Sequence, residues 1–352
     1  MSRGRVRLGR NDRFKAKITI QVAAMFAITG FLVLGCTETP EVIVDDSAGT
    51  EGLVFVRHQR IYECEINGHE ITITTYEVTG FRGFARNVVI PAAHNGYPVV
   101  RIGDRAFEDN RLTGISIPDG LVSIGDLAFA GNQLSNLTIP NGVTSIGRSA
   151  FEGNQLASVV IPDSVTSIGN LAFSNNRLTS IDIPSGITSI ERLSFSNNRL
   201  ANVAIPNGVT YIGYRAFADN RLASAFIPSS VTHIGNRAFE NNQLVNLAIP
   251  GSVRSIGQSA FERNQLSSMT IGNGVASIGD RAFAQNQLTS IIIPGSVTAI
   301  GRWAFAWNPP LETIRIPFAS RTIADRTWRP GWRADMGIAV AIINHLGVLV
   351  SD

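Results

Sequence analysis

Residues 102–123 read IGDRAFEDNRLTGISIPDGLVS, and this 22-residue pattern recurs ten times between Arg101 and Pro317. Its core is Ile-Gly-x-x-Ala-Phe-x-x-Asn-x-Leu-x-x-Ile-x-Ile-Pro. The phenylalanine returns at every 22nd position, at Phe107, Phe129, Phe151, Phe173, Phe195, Phe217, Phe239, Phe261, Phe283 and Phe305. One unit of this size cannot form a core alone, so it buries its apolar side chains against the units before and after it. Strict repetition of this kind therefore predicts a solenoid.

Stacking of identical units aligns equivalent side chains into columns. We expect Phe107 to lie on Phe129 and Leu112 on Leu134, so that each apolar position forms a continuous buried column. An asparagine follows each phenylalanine by three residues, and we expect it to bond backbone groups that would otherwise be buried without partners. These recurring residues are interpreted as structural, and none of them is a candidate for chemistry.

Each unit predicts two short strands. Residues 112–117 alternate apolar with small or polar side chains, which is the period of a half-buried strand, and the turn residues 118–120 end it. Residues 143–147 are rich in β-branched side chains and predict a second short strand or bridge. The Gly-x-x-Ala-Phe-x-x-Asn segment predicts a single helical or 3₁₀ turn that reverses the chain. Equivalent strands of successive units are expected to pair in parallel at ~4.8 Å.

The pair of motifs Leu-x-x-Ile-x-Ile-Pro and Ile-Gly-x-x-Ala-Phe is similar to the leucine-rich repeats of the bacterial BspA-like, or treponemal, class. Most copies in this chain are one residue shorter than is usual in that class. The resemblance extends over residues 101–317 and implies a leucine-rich repeat solenoid with parallel strands and short turns. For several members of the class it also implies an adhesin-like role in which the protein meets host or neighbouring-cell proteins.

The N-terminus has the order of a secretory signal. Residues 1–17 carry seven basic side chains and one acidic one, and an apolar run follows over residues 18–35. The run ends in VLGC, which resembles a bacterial lipobox and implies that Cys36 is acylated and becomes the new N-terminus. The prediction is a signal peptide over residues 1–35 and a lipid anchor at Cys36, at the outer membrane or cell surface. The alternative is an uncleaved anchor, because 18 apolar residues are just long enough to span a membrane.

The basic character of the chain belongs to this signal. The full sequence has a formal charge of +3, but without residues 1–35 it keeps 23 basic and 26 acidic side chains, a charge of −3. The remainder has no basic patch interleaved with aromatic residues, so we expect no nucleic-acid partner.

The segments flanking the repeats predict a tether and two caps. Residues 36–52 are mostly acidic or small and are interpreted as the lipidated cysteine and a flexible tether. Residues 53–100 contain two alternating strands around Asn67-Gly68, which predict a β-hairpin, and then an expanded first coil. Because a solenoid end exposes an apolar stack, we expect this segment to form the N-terminal cap and residues 318–352 the C-terminal cap. The alternative for the last segment is that Trp328 and Trp332 are exposed and form a binding site.

The sequence lacks the residue combinations that catalysis and metal binding need. If Cys36 is acylated, Cys64 has no cysteine partner, and it is interpreted as a small buried hydrophobe. The five histidines are dispersed, with no pair spaced as metal ligands. No nucleophile stands beside a base and no glycine-rich phosphate loop is present. We therefore expect a non-enzyme with no metal, no cofactor and no small-molecule substrate.

The candidate binding surface is the outward position of the strand before the proline. If Ile115 and Ile117 point inward, the residue between them points outward and forms a column of Ser116, Thr138, Val160, Asp182, Ala204, Phe226, Ala248, Thr270, Ile292 and Arg315. On this small, polar face, Phe226 is the predicted anchor for a protein or glycan partner, and Asp182, Ile292 and Val160 are weaker candidates. The predicted function is an envelope-anchored binding module. The alternative is a periplasmic spacer or scaffold with no high-affinity partner.

Overall fold

The structure, a computed structural model, describes residues 36–45, 52–64, 69–316 and 341–344, with side chains for residues 52–58 and 74–315. In these residues the regular elements are all strands, joined by turns. The ten repeats stack as the coils of a parallel β-solenoid, as predicted.

The N-terminal cap contains six strands: β1 (Cys36–Asp45), β2 (Leu53–Cys64), β3 (His69–Phe81), β4 (Asn87–Val89), β5 (Ala93–His94) and β6 (Tyr97–Ile102). β2 and β3 pair antiparallel, in the hairpin that the alternating pattern predicts. β3 pairs in parallel with β6, so the hairpin leads directly into the solenoid. Residues 36–45, interpreted from sequence as tether, pair with β2 as an outer strand instead. Their central Val42-Ile43-Val44 is β-branched, which favours a strand.

Each coil carries two strand positions. The strands immediately before the proline position, here called pre-proline strands, are β7 (Gly114–Ser116), β9 (Asn136–Thr138), β11 (Ser158–Val160), β14 (Asn202–Ala204), β16 (Ser224–Phe226), β18 (Asn246–Ile249), β20 (Ser268–Ile271), β22 (Ser290–Ile292) and β24 (Thr313–Ile316). The strands before the glycine position, here called pre-glycine strands, are β8 (Ser123–Ile124), β10 (Ser145–Ile146), β12 (Ser167–Ile168), β13 (Ser189–Ile190), β15 (Tyr211–Ile212), β17 (His233–Ile234), β19 (Ser255–Ile256), β21 (Ser277–Ile278) and β23 (Ala299–Ile300). Paired strands in these two lists are parallel, and each residue meets its equivalent 22 positions later, as Ser145 meets Ser167. The last pair, β22 with β24, has an offset of 23, as Ser290 meets Thr313.

The phenylalanine column forms the centre of the core. All ten rings are buried, and consecutive rings stack nearly parallel with centroids 5.0 to 5.9 Å apart. Phe81 of the hairpin lies 5.8 Å from Phe107 and extends the stack into the cap. The predicted apolar columns are therefore confirmed, since such offset-stacked rings combine area burial with favourable ring contacts.

The asparagine column joins each coil to the one before it. In a representative coil, the Asn220 Oδ1 accepts a hydrogen bond from the Leu200 N–H at 3.0 Å, and its Nδ2 donates to the Phe195 carbonyl at 2.9 Å. The same amide also donates to the Phe217 carbonyl at 3.2 Å. The equivalent residues from Asn132 to Asn308 are buried and bonded in the same way. The expected role of this asparagine is confirmed.

The segment around each phenylalanine consists of turns rather than a 3₁₀ helix. The residue two places before the phenylalanine has a positive φ in every repeat, for example 59° at Arg105 and 58° at Leu127. This left-handed residue ends any helical continuation. The turn amides bond the next coil instead, as the Phe107 N–H donates to the Ala128 carbonyl at 2.8 Å. Backbone stacking thus stabilises a conformation that leucine and arginine rarely adopt.

One coil interrupts the pre-glycine ladder. The ladder runs from β6 to β12 and begins again at β13, with no pairing between β12 and β13. At this position Glu191 replaces the glycine of the other repeats. A Cβ on the equivalent Gly169 would lie 2.6 Å from the Arg148 backbone nitrogen, which is closer than atoms can approach. The side chain of Glu191 therefore separates the two coils, and the widest phenylalanine spacing, 5.9 Å, occurs between the same coils at Phe173 and Phe195.

We expect Glu191→Gly to close this gap. The variant should form the two backbone hydrogen bonds that other coils make here, from residue 191 to Ile168 and from Thr188 to Thr166. Each of the two hydrogen bonds contributes about 1 kcal/mol, and the entropic cost of glycine is about as large as one bond. The free energy of unfolding should therefore rise by about 1 kcal/mol. Amide hydrogen exchange should show slower exchange at Thr188. Unchanged exchange there would mean that the gap has another cause.

The C-terminal side of the solenoid is described only in part. β25 (Ala341–Asn344) pairs in parallel with β24 and continues the pre-proline strands. The remainder of the predicted C-terminal cap, including Trp328 and Trp332, lies outside the described residues, as does the predicted signal peptide over residues 1–35. Within the described residues, no helix has the length and apolar character to cross a membrane.

Candidate functional site

The outward column of the pre-proline strands is exposed along its whole length. Every predicted member, from Ser116 to Arg315, is solvent-exposed. From Ser116 to Ile292, the residue on either side of each member is buried or half-buried, as expected from the alternation of a strand with one face on the core. The structure thus places Val160, Asp182, Phe226 and Ile292 on a single line along the solenoid.

Large apolar side chains recur on this line at every third coil. Val160, Phe226 and Ile292 are 61, 66 and 65 % exposed, and they are separated by 66 residues each. Val89 of the cap, 63 % exposed, occupies the same column three coils before Val160, because β4 pairs with β7. These four exposed side chains are here called the apolar points. At ~4.8 Å per coil they lie about 14 Å apart along the solenoid. The intervening members are small, polar or, at Asp182, charged.

This spacing of three coils, or 66 residues, is present in the sequence, but it does not show when only the 22-residue units are compared with one another. The coils that carry Val160, Phe226 and Ile292 have a serine at the turn after the proline, at Ser164, Ser230 and Ser296, but the coil of Ala248 has one too, at Ser252. Ser164 and Ser296 donate to the backbone carbonyls of Val143 and Val275 in the preceding coils, at 2.8 Å each. The signal that could have grouped the apolar points in advance is the 66-residue spacing of Val160, Phe226 and Ile292 themselves.

The neighbouring column on the same strands is polar and bonded to itself. Ser158, Ser224 and Ser268 donate to Asn136, Asn202 and Asn246 of the preceding coils at 3.2, 2.8 and 2.6 Å. These bonds hold short side chains flat along the strands. The apolar points of the adjacent column consequently project from a low, uncharged surface.

Asp182 differs from its neighbours in the column both in its charge and in its strand pairing. It forms an isolated bridge to Ala204 in place of a regular strand pair. It also lies in the coil that precedes Glu191, where the pre-glycine ladder is interrupted.

One cluster of ionisable side chains, around Arg215, links two neighbouring coils. The Arg215 Nη2 lies 2.7 Å from Asp219 Oδ2 and 3.8 Å from Glu240 Oε2 of the next coil. Burial raises the pKa of Glu240, against the lowering effect of Arg237 and Arg215. Burial also opposes the charged form of Arg215, but Asp219 and Glu240 outweigh it and the pKa of the guanidinium lies above its ordinary value. The contact between Arg215 and Glu240 therefore joins consecutive coils.

A second ion-pair group lies where the hairpin meets the first coil. Glu77 accepts from His58 Nε2 at 2.7 Å and lies 3.4 Å from Arg101 Nε. It therefore connects β2 and β3 to β6. Among the described residues no group of three or more histidine, cysteine, aspartate or glutamate side chains is arranged to hold a metal ion.

The predicted lipidation residue is described only at its backbone. Cys36 is the first residue of β1 and lies opposite Cys64 of β2 in the antiparallel register. The side chains of both cysteines are outside the described part of the structure. Lipidation at Cys36 therefore stays a prediction.

Comparison with known proteins gives a family match over the repeat region. The family model described as BspA type leucine rich repeat region matches residues 100–223 and 210–329, in six copies. No curated protein matches the chain.

Several solved structures are similar to the chain. A leucine rich cell surface protein from Faecalibacterium prausnitzii A2-165 is 27% identical, with a TM-score of 0.42 and coverage of 80% of this chain and 90% of that one. The pneumococcal vaccine antigen PcpA is 17% identical, with a TM-score of 0.45 and coverage of 80% and 82%. A leucine-rich repeat protein from Bacteroides ovatus ATCC 8483 is 17% identical, with a TM-score of 0.44 and coverage of 90% and 99%.

Proposed function

The chain belongs to the BspA-type leucine-rich repeat family, and from this premise we propose that it is a non-enzymatic, envelope-anchored lipoprotein that binds a protein partner. The pre-proline column is the proposed contact surface, with Phe226 as its anchor and Val160, Ile292 and Asp182 as supporting contacts. The observation that carries the proposal is the recurrence of exposed apolar side chains at every third coil.

The spacing of the apolar points supports specific rather than general adhesion. Between them the strands expose short side chains that are hydrogen-bonded to one another, so they need no hydrogen bonds from a partner. A partner gains apolar burial only where its own surface offers pockets about 14 Å apart. Phe226 presents the largest of these side chains, and aromatic residues dominate the binding energy of many interfaces.

The proposed location rests on the N-terminal sequence. The basic segment, the apolar run and the VLGC sequence that ends at Cys36 are the features of a lipoprotein signal. A lipid on Cys36 would anchor the chain at the outer membrane or cell surface. The second candidate function, a periplasmic spacer without a high-affinity partner, is supported by the small, nearly uncharged character of the rest of the column.

Protease treatment of intact cells distinguishes these locations. We expect peptides from residues 101–317 to be released while a periplasmic control protein stays protected. The Cys36→Ala variant should be lost from the membrane fraction. If the peptides appear only after the envelope is opened, the surface proposal fails and the periplasmic spacer replaces it. If the Cys36→Ala variant stays in the membrane, the anchor is the uncleaved segment 18–35.

We expect Phe226→Ala to weaken partner binding at least tenfold, because a central aromatic anchor contributes 2 kcal/mol or more. The free energy of unfolding should change by less than about 1 kcal/mol, because the Phe226 side chain is exposed in the folded chain. The measurement is quantitative affinity capture from a cell-surface extract with the wild-type chain, Phe226→Ala and the matched variant Thr270→Ala. A partner should be retained by the wild type and by Thr270→Ala. If every captured protein binds Phe226→Ala equally, Phe226 is not the anchor.

A further inference from the structure

Three arginines occupy one exposed column of the solenoid, at the position that follows the buried asparagine of each coil. In the ten repeats this position is glutamine five times and arginine once in the first coil, at Arg111. It is arginine again in three consecutive coils, at Arg177, Arg199 and Arg221, here named the arginine row. All three side chains are exposed. The row therefore presents three cations on neighbouring coils in the middle of the solenoid.

Backbone hydrogen bonds fix the spacing of the arginine row. The Arg199 N–H donates to the Leu178 carbonyl at 2.9 Å, and the Arg221 N–H donates to the Leu200 carbonyl at 3.0 Å. Each arginine is thus bonded to the residue that follows the preceding arginine. Backbones joined in this way lie about 4.8 Å apart, so the three side chains leave the solenoid from one straight line.

The arginine row keeps its positive charge. Within residues 52–58 and 74–315, whose side chains are described, none of the three guanidinium groups forms an ion pair or a side-chain hydrogen bond. Asp219 lies two residues before Arg221, but both its oxygens already have partners. Its Oδ2 lies 2.7 Å from Arg215 Nη2, and its Oδ1 accepts from Asn241 Nδ2 at 2.8 Å.

The solenoid itself does not require these charges. At the same position Gln133 and Gln243 donate their backbone N–H to the preceding leucine carbonyl, as the arginines do. The coil therefore forms equally with an uncharged side chain. Like charges on neighbouring strands repel one another and destabilise a stack. A row of three unpaired cations thus has an energetic cost to the fold and no structural partner that offsets it.

The surroundings of the row leave room for a ligand. A groove of about 570 Å³ borders it at Arg221, and the exposed amides of Asn175, Asn197 and Asn241 line this groove together with Arg215. On the other side of the row the next exposed position holds only short side chains, at Thr179, Ala201 and Ala223. A ligand can therefore lie along the row, with hydrogen-bonding groups available beside it.

The spacing of the row favours a polymer with one negative charge about every 4.8 Å. Side chains on one face of an extended peptide recur at about 6.6 Å, which is too long to match successive coils. Acidic side chains four residues apart on a helix are about 6 Å apart. Single-stranded nucleic acid needs aromatic side chains for base stacking, and the columns on either side of the row have none in these three coils.

From this arrangement we propose that the arginine row binds a linear polyuronate, a polysaccharide with one carboxylate on every sugar ring, lying along the solenoid axis. The planar guanidinium donates two parallel hydrogen bonds that match the two oxygens of a carboxylate. One ring with its linkage covers about one coil spacing, so successive carboxylates meet successive arginines. The sugar hydroxyls can bond the asparagine amides of the groove. This surface is separate from the pre-proline column, and the proposal does not depend on a protein partner there.

The first test is isothermal titration calorimetry on the full-length chain in an uncharged detergent. The hexasaccharide of α-1,4-linked galacturonate should bind with a Kd below about 1 mM, and binding should weaken at about 0.5 M salt because exposed ion pairs are screened. Its fully methyl-esterified form, which has no charge, should not bind. Absence of hexagalacturonate binding, or equal binding of the methyl ester, overturns the proposal.

Hexaglutamate with blocked termini distinguishes a saccharide from an acidic peptide, because it carries the same number of carboxylates at a different spacing. We expect it to bind more weakly than hexagalacturonate. Equal or tighter binding of hexaglutamate would overturn the saccharide as occupant and assign the row to acidic peptides.

Replacing the whole row by the glutamine of the other coils locates the site. The variant with Arg177→Gln, Arg199→Gln and Arg221→Gln should bind hexagalacturonate at least tenfold more weakly, because it loses three ion pairs. Its melting temperature should not fall, since the repulsion within the row is removed. The matched control loses the same charge elsewhere, through Arg148→Gln, Arg254→Gln and Arg263→Gln, and should bind within twofold of the wild type. Residues 1–17 are common to both variants, so their basic side chains contribute equally.

Equal weakening in the two triple variants would mean that only the overall charge of the chain matters, and the row would then not be the site. Gln243→Arg tests the same geometry by addition, since it extends the row to a fourth coil. We expect it to bind hexagalacturonate about threefold more tightly, the effect of one exposed ion pair. An unchanged affinity for Gln243→Arg would contradict a ligand that lies along the solenoid axis.

Discussion

Phe217→Ala should destabilise the solenoid by about 4 kcal/mol, the cost typical of removing a buried phenylalanine. Phe217 is fully buried, and its ring centroid lies 5.6 Å from that of Phe195 and 5.4 Å from that of Phe239. The substitution leaves a cavity between two rigidly stacked coils, which cannot close without breaking the backbone bonds on either side. Urea unfolding followed by far-ultraviolet circular dichroism measures the loss.

Phe84→Ala is the matched control, because Phe84 is fully exposed in the cap and its removal should change stability by less than about 0.5 kcal/mol. Since stability in a solenoid depends on contacts between neighbouring coils, we expect Phe217→Ala to affect amide exchange most strongly in the coils next to it. A loss below about 1.5 kcal/mol for Phe217→Ala would mean that the stack does not provide the main core contacts.

Asn220→Ala should cost about 3 to 5 kcal/mol, although it removes only a few atoms. The amide of Asn220 bonds the Leu200 N–H and the carbonyls of Phe195 and Phe217, and the residue is only 8 % exposed. Alanine leaves these backbone groups buried without partners, and each such group costs about 1 to 3 kcal/mol. The same urea titration measures the effect.

Asn202→Ala provides the control for Asn220→Ala, because Asn202 is an exposed asparagine that accepts a single hydrogen bond from Ser224. The Asn202→Ala substitution should lower the free energy of unfolding by less than about 1 kcal/mol. Asn220→Asp separates the two functions of the amide, since a carboxylate keeps the acceptor for Leu200 but loses the donor and buries a charge. If Asn220→Ala and Asn202→Ala have equal effects, water must satisfy the freed backbone groups.

The repetitive part of the fold could be predicted from the 22-residue pattern. Phe107 and Phe129 have to align in any arrangement that buries identical units against one another, and the structure stacks them at 5.0 Å. The exposure of Phe226 followed from the alternation along its strand. The asparagine was correctly expected to satisfy buried backbone, but the sequence did not show that its partners lie in the preceding coil, 20 and 25 residues earlier.

The deviations from the repeat were harder to interpret. Glu191 stands in the sequence as the one departure from glycine at its position, but its effect depends on how close a Cβ at this position comes to the backbone of the preceding coil, which is under 3 Å at the equivalent Gly169. That distance exists only in the folded structure. The alignment of Val89 with Val160 also required the structure, because the cap does not follow the 22-residue spacing.

The 22-residue repetition was enough to predict the columns of this protein, because an apolar side chain that recurs every 22 residues is buried by its equivalents in the neighbouring coils. The distance between coils and the direction of the turn side chains depend on contacts that form only in the folded chain. The residues two places after the phenylalanine illustrate the second point: Arg263 and Gln285 adopt a left-handed backbone that their residue types disfavour. They do so because the stacked turns make backbone hydrogen bonds to the next coil, an interaction that exists only once two coils are in contact.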